Sequence, residues 1–263
     1  MKITNIIILF LAISIFSACK KDKDEKPAEQ KIKITEATAQ NGTKVTLWAD
    51  KDQLTVGYNP IYLTVTNENT EVKDAVVTVH PEMDMHTMSH SSPVEQPVYN
   101  ALEGKYAGAV VFTMPSGDMG SWKLTVEVNE LNIDLNVTVA NSPSNTRFVG
   151  TFTGADAERY VISLVNPLMP KTGMNDLEIL VNKRTDSGHS FPPVDDFQIE
   201  FNPQMTSMGH GSPNNVYPVN VGKGKYKGKV NFTMTGDWRL FFTLKRNGEV
   251  IVGGDNTYLD IWF

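Results

Sequence analysis

Two stretches of this 263-residue chain repeat each other at a constant offset of 120 residues, and that repeat constrains the fold more than any other feature. Met88-Ser89-His90-Ser91-Ser92-Pro93 is answered by Met208-Gly209-His210-Gly211-Ser212-Pro213. Gly104-Lys105-Tyr106-Ala107-Gly108-Ala109-Val110-Val111-Phe112-Thr113-Met114 is answered by Gly224-Lys225-Tyr226-Lys227-Gly228-Lys229-Val230-Asn231-Phe232-Thr233-Met234. After a four-residue length difference, Gly120-Ser121-Trp122-Lys123-Leu124 matches Gly236-Asp237-Trp238-Arg239-Leu240. Two copies at so long a period imply two domains rather than a solenoid, which stacks three or more short units. The polar, turn-rich Ala140-Asn141-Ser142-Pro143-Ser144-Asn145 is the natural boundary, giving expected units of 31–140 and 146–263.

Each unit reads as all-β. From Tyr226 the even positions are Tyr226, Gly228, Val230, Phe232 and Met234, while Lys223, Lys225, Lys227 and Lys229 occupy odd positions. That alternation is a strand with one buried face, with the lysines expected to form a solvated face that also discourages edge pairing. Tyr106 to Met114 repeats the pattern, and Trp122–Val128 and Trp238–Leu244 put a second apolar row on one side. Further β-rich runs are Ile32–Thr38, Thr43–Trp48, Ile61–Thr66, Ala75–Val79 and Leu131–Val139. Arg184–Pro193 reads as a loop inserted in the second unit, whose first strands are indistinct. With no sustained helical period, the expected fold is two tandem immunoglobulin-like β-sandwich domains. Met114 and Met234 fall on the expected core face, and Met119, Met169 and Met174 read as packing or loop residues.

The N-terminus indicates the compartment. Met1-Lys2 precedes an apolar run from Ile3 to Phe16, too short to span a bilayer, which needs about 20 residues. Phe16-Ser17-Ala18 then leads to Cys19, the single cysteine. This segment resembles a bacterial lipoprotein signal, so residues 1–18 are expected to be removed and Cys19 to be lipidated. Acyl chains would anchor the protein, each buried methylene contributing about 0.8 kcal/mol. Residues 19–30 contain Lys20-Lys21-Asp22-Lys23-Asp24-Glu25-Lys26-Pro27, a charged tether that resembles the export tracts of surface-displayed lipoproteins. The expected location is the cell envelope, on an outer membrane.

Composition removes several function classes. One cysteine excludes an internal disulfide framework, a four-Cys zinc site and a CxxC redox pair. A net charge of −6 with no basic block argues against nucleic acid. No GxSxG, HExxH, P-loop or GxGxxG occurs, and the carboxylates form no defensible acid–base pair, so the reading is not an enzyme.

What could carry chemistry is a methionine–histidine cluster. His80, Met83, Met85, His86, Met88 and His90 lie within eleven residues, and Met205, Met208 and His210 hold the matching place. Thioethers are soft donors that need no deprotonation and imidazole is borderline, so together they favour Cu(I), with His also able to hold Cu(II). Were Met85–His90 extended, His86, Met88 and His90 would share one side. Asp84, Thr87, Ser89, Ser91 and Ser92 around them suit a solvent-facing loop rather than a core. The competing reading is that methionine fills sandwich gaps and histidine ends turns. His189, in Ser187-Gly188-His189-Ser190, reads as a loop residue.

The order Met-x-His, Gly-Lys-Tyr, Phe-Thr-Met and Gly-(x)-Trp-x-Leu resembles the YtkA-like domain, a group that includes FixH-like proteins. The resemblance implies a small sandwich, somewhat like the copper carrier CopC, in envelope proteins, with its Met/His element falling on Met85, Met88 and His90, and on Met205, Met208 and His210. FixH-like members are associated with assembly of copper-containing oxidases, but carry one domain and a membrane helix, unlike this chain. The expected function is therefore a lipid-anchored protein that binds or passes a copper ion. Its partners would be the membrane through Cys19 and a copper protein or efflux component. The alternative is a structural or adhesion lipoprotein holding no metal.

Overall fold

The computed structural model describes residues 30–118 and 120–263; the signal segment 1–18, Cys19, the rest of the tether up to residue 29, and Met119 lie outside them. The first half of the chain forms β1 (Ile32–Thr38), β2 (Thr43–Ala49), β3 (Leu54–Thr55), β4 (Gly57–Asn67), β5 (Thr70–Glu71), β6 (Val77–Asp84), β7 (Ser89–Ser91), β8 (Val94–Asn100), β9 (Lys105–Phe112), β10 (Ser121–Val128), β11 (Leu131–Val137) and β12 (Val139–Ala140). The second forms β13 (Val149–Thr153), β14 (Arg159–Asn166), β15 (Gly173–Arg184), β16 (Gln198–Met205), β17 (His210–Gly211), β18 (Val216–Gly222), β19 (Lys225–Phe232), β20 (Asp237–Arg246), β21 (Glu249–Val252) and β22 (Tyr258–Trp262).

Each half is a sandwich of two antiparallel sheets. In the first, β1-β2-β4-β9-β8 faces β11-β10-β6-β7; in the second, β13-β14-β15-β19-β18 faces β17-β16-β20, with β21 and β22 both on β20. The strand orders correspond one to one, β11 being split into β21 and β22. Each half has its own core, one around Trp122, Phe112 and Leu47 and the other around Trp238, Phe232 and Tyr160.

The same side chains do the same work twice. The buried indoles of Trp122 and Trp238 donate to the carbonyls of Met114 and Met234 at 2.9 and 3.0 Å. Tyr106 Oη donates to Val72 O and accepts from Ala75 N, and Tyr226 Oη donates to Val194 O and accepts from Phe197 N. Asn59 and Asn175 each close the turn before their own strand through the amide and carbonyl of the residue four positions back. Buried polar groups left unpaired would cost about 1–3 kcal/mol each, which explains why these contacts recur.

Strand β14 shows why the start of the second half is indistinct in sequence. It is buried along both faces: Tyr160, Ile162 and Leu164 enter the second core, while Val161 and Val165 join Val111, Val149 and Leu180 in a third apolar cluster, flanked by Val56, Tyr58 and Phe191. That cluster is the seam where the two sandwiches meet, and Lys225 Nζ to Glu95 Oε1 at 3.0 Å crosses it. Glu95 also accepts from Tyr58 Oη, and burial with this bond pushes the phenol's pKa well up.

Two expectations are corrected here. β19 lies between β15 and β18, so its lysines guard no edge; Lys227 and Lys229 instead pair with Glu178 and Asp176 on β15 at 3.3 and 2.7 Å. Met234 is 38% exposed, because β19 ends at Phe232 and the chain turns away from the core. Met114 is part-buried against its core, while Met169 and Met174 are exposed.

Candidate metal-binding hairpins

The Met/His segments are two β-hairpins at the open edge of one sheet in each sandwich. In β6, Val77, Val79, Pro81 and Met83 face the core and pair with Val128, Val126, Leu124 and Trp122. In β16, Ile199, Phe201, Pro203 and Met205 pair with Leu244, Phe242, Leu240 and Trp238. The structural counterpart of Met205 is therefore Met83. The offset of 120 that aligns Met205 with Met85 is corrected by the hairpin turn, which is two residues longer in the first half.

A cross-strand row results in each half. Trp122, Met83 and His90 lie abreast on β10, β6 and β7, and Trp238, Met205 and His210 on β20, β16 and β17. Directly opposed residues share a face with Cβ atoms about 4.5–5.5 Å apart, so each methionine stands between a tryptophan and a histidine on that face. The His210 and Trp238 rings meet edge-on with centroids 5.8 Å apart. Met83 is fully buried and Met205 is 5% exposed, so neither belongs to a solvent-facing loop; the strand alternation places both inside.

The exposed donors are at the turns. His86 takes φ +67°, and Met85 N donates to Met88 O at 2.9 Å, so Met85–His90 is a reversal rather than an extended run. Asp84 Oδ1 accepts from His86 N at 2.8 Å and fixes this turn. Met88 and His86 point outward, Met85 is half-buried, and His90 is half-buried at the edge. In the second hairpin, Gly209 N and Met208 N donate to Met205 O at 2.9 and 3.3 Å, which folds Met208 back over the strand end with its side chain exposed. Asp237 accepts from Ser207 Oγ, Thr206 Oγ1 and Ser207 N, and those bonds hold its carboxyl down at about 2. His80 stands on the outer face of β6, with Nε2 3.9 Å from Glu127, away from this row.

His210 Nδ1 lies 3.0 Å from Gly211 O. In the neutral ring that contact assigns the proton to Nδ1, leaving the Nε2 lone pair available, an arrangement common among metal-bound histidines. The donor set at each hairpin, two or three thioethers with one or two imidazoles, suits a soft ion, with one thioether per hairpin held in the core. Among the described residues no group of three or more His, Cys, Asp and Glu converges on a point.

No curated protein matches this sequence. Among solved structures, a conserved domain protein from Bacillus anthracis aligns at 13% identity over 90% of each chain, with a TM-score of 0.33. The Escherichia coli adhesin FdeC aligns at 12% identity and TM-score 0.27 over 87% of this chain, and invasin, a bacterial integrin-binding protein, at 12% and 0.25 over 89%. This chain spans 66% of the FdeC structure and 38% of the invasin structure, and at these TM-scores no functional statement follows. The family match lies where the second hairpin lies: residues 154–242, from the turn before β14 into β20 and including Met205, Met208 and His210, match the YtkA-like family.

Proposed function

We propose that this protein is a lipid-anchored lipoprotein of the cell envelope, made of two duplicated YtkA-like sandwiches, that binds Cu(I) at its Met/His hairpins and passes it to a copper enzyme or efflux component. The observation that carries the reading is the Trp–Met–His row, present in both halves and ending at an edge imidazole beside an exposed methionine. Met208, Met205 and His210 would hold the ion in the second half; Met83, Met88 and His90, with Met85 and His86 adjacent, would hold it in the first. Neutral sulfur and imidazole donors stabilise a soft monovalent ion without releasing protons, as a site outside the reducing cytoplasm requires. The chain contributes orientation: the β16–β17 pairing positions His210, and the turn bonds to Met205 O position Met208.

Competition for Cu(I) against a chromogenic chelator tests this. The wild type is expected to withdraw the ion, and Met88→Ala with His90→Ala, or Met208→Ala with His210→Ala, to weaken binding by about tenfold or more. No withdrawal by the wild type would overturn the reading. The burial of Met83 and Met205 favours one second reading, a structural or adhesive envelope protein in which the row is sulfur–aromatic packing worth about 0.3–1.5 kcal/mol. The anchor is tested separately: Cys19→Ser is expected to release the protein from membranes, and continued membrane retention would refute lipidation.

A further inference from the structure

The two hairpins are not equivalent, because the loop inserted in the second half reaches the first. β15 ends at Arg184 and the chain makes a tight excursion before Val194, whose amide returns to Val181 O at 3.0 Å. Thr185 N donates to Ser190 O at 3.0 Å and Gly188 N to Thr185 O at 2.9 Å, so the excursion is internally hydrogen-bonded. Phe191 packs on the seam cluster that contains Val111 of the first half, and Asn182 Nδ2 holds Phe191 O at 2.9 Å. Gly188 is buried at φ +70°, with Arg184 filling the space a side chain would need. Its carbonyl accepts from Ser91 N of β7 at 3.4 Å.

That contact joins the peptide unit leaving His90 to the one entering His189. With N and O 3.4 Å apart, the two histidine α-carbons lie within about 9 Å. An imidazole Nε2 reaches roughly 4–5 Å from its own Cα by covalent geometry. A metal–nitrogen bond adds about 2.0 Å, so one ion can take both rings. His189 is exposed, His90 is half-buried at the sheet edge, and Met88 is exposed on the same hairpin. Among the described residues, no such backbone bond reaches the second hairpin from the first half.

We propose that His189 is a ligand of the first hairpin's metal site, which is thus assembled from both sandwiches, with His90 and Met88 supplied by one and His189 by the other. This rests on the metal reading above and adds to it: the composite site carries more imidazole, so it holds Cu(II) as well as Cu(I), and filling it fastens the seam.

The test uses the full chain with copper as the probe, in a Met208→Ala/His210→Ala background that leaves the first hairpin as the remaining site. His189→Ala is expected to lower Cu(I) affinity by about tenfold or more and to remove one imidazole nitrogen from the Cu(II) electron paramagnetic resonance pattern. Because His189 is an exposed loop residue, folding is unaffected, and circular dichroism checks that. Adding His90→Ala should cost less than the two single losses combined, as for ligands of one ion. If His90→Ala weakens binding while His189→Ala leaves affinity and spectrum unchanged, the composite site is refuted and the hairpin reading survives. If the wild type binds no copper, both fall.

Discussion

Gly236 and Met205 provide a test of the site's packing that needs no metal. A Cβ built on Gly236 would lie 2.1 Å from Met205 Cε, so the thioether's methyl occupies the place of the missing side chain. Gly236 also holds φ +142°, a conformation costly for other residues by roughly 1–3 kcal/mol. Gly236→Ala should therefore lose that strain energy plus the displacement of a buried side chain, about 1–3 kcal/mol more if Met205 cannot move. Met205→Leu conserves volume and should cost under about 1.5 kcal/mol, but leucine is one bond shorter and leaves the space beside Gly236 open. The double variant then avoids the collision, and its destabilisation should fall short of the sum by about 1 kcal/mol. The first half provides the comparison. A Cβ on Gly120 meets the backbone oxygen of Asp84 at 2.3 Å, and Met83 Cε only at 3.2 Å. A backbone atom cannot be trimmed by mutating Met83, so Gly120→Ala with Met83→Leu should be additive to within about 0.5 kcal/mol. Urea unfolding followed by tryptophan fluorescence measures all six variants. Additivity in the second half, or coupling of equal size in the first, would refute this account of the row.

Three further outcomes concern hydrogen bonds within the second sandwich. Tyr226→Phe removes a buried hydroxyl that bonds Val194 O and Phe197 N, so it should destabilise the second sandwich by about 1–3 kcal/mol, measured by denaturant midpoint. Asn175→Ala should do likewise and loosen the turn before β15, seen as faster hydrogen exchange at Lys171 N, whose partner is Asn175 Oδ1 at 3.0 Å. Asp237 has a folded pKa near 2 against an ordinary 3.8, so its hold on the Thr206–Ser207 turn is complete above about pH 4 and is lost as pH falls from about 4 to 2. Amide shifts of Ser207 should titrate in that window, and Asp237→Asn should abolish the step; a transition centred near pH 4 would contradict the assignment.

The sequence exposed those strands that have one wet face. β10, β19 and β20 alternate because one side meets a core and the other is more open, whereas β9 is covered on both faces from Ala109 to Phe112, Val111 entering the seam. β14 and the middle of β15 do not alternate, because Val161, Val165 and Leu180 leave their own core only to enter the seam. A strand covered on both faces reads as an unbroken apolar run, which carries no period. The Met/His segment was legible as composition but not as geometry. Its residues straddle a strand end, so Met83 and Met205 follow the inward register while Met88 and Met208 follow the turn. The shared Pro-x-Met in Pro81-Glu82-Met83 and Pro203-Gln204-Met205 was the signal that would have aligned the two hairpins correctly. The seam between His90 and His189 had no signal at all, since contacts between repeats are absent from either repeat alone.

Burial of Met83 and Met205 bears directly on how these hairpins could engage an ion. A thioether in the core is withheld from solvent, yet each is covered on its open side by a very short strand: β7 has three residues and β17 has two. The β16–β17 ladder consists of two pairs, Gln204 with Gly211 and Met205 with His210. Short edge elements with so few backbone bonds lie at the low end of local opening energies. Were that two-pair ladder to open, His210 would leave the face it shares with Met205 and uncover the thioether, because the two are cross-strand partners. An ion that binds the opened form then holds it open by mass action, in proportion to its free concentration over Kd. Under the proposed function, core burial and ligation then need not compete as descriptions of Met205: packing against Trp238 would keep the ion-free hairpin closed, and the shortness of β17 would set how little an ion must supply to open it.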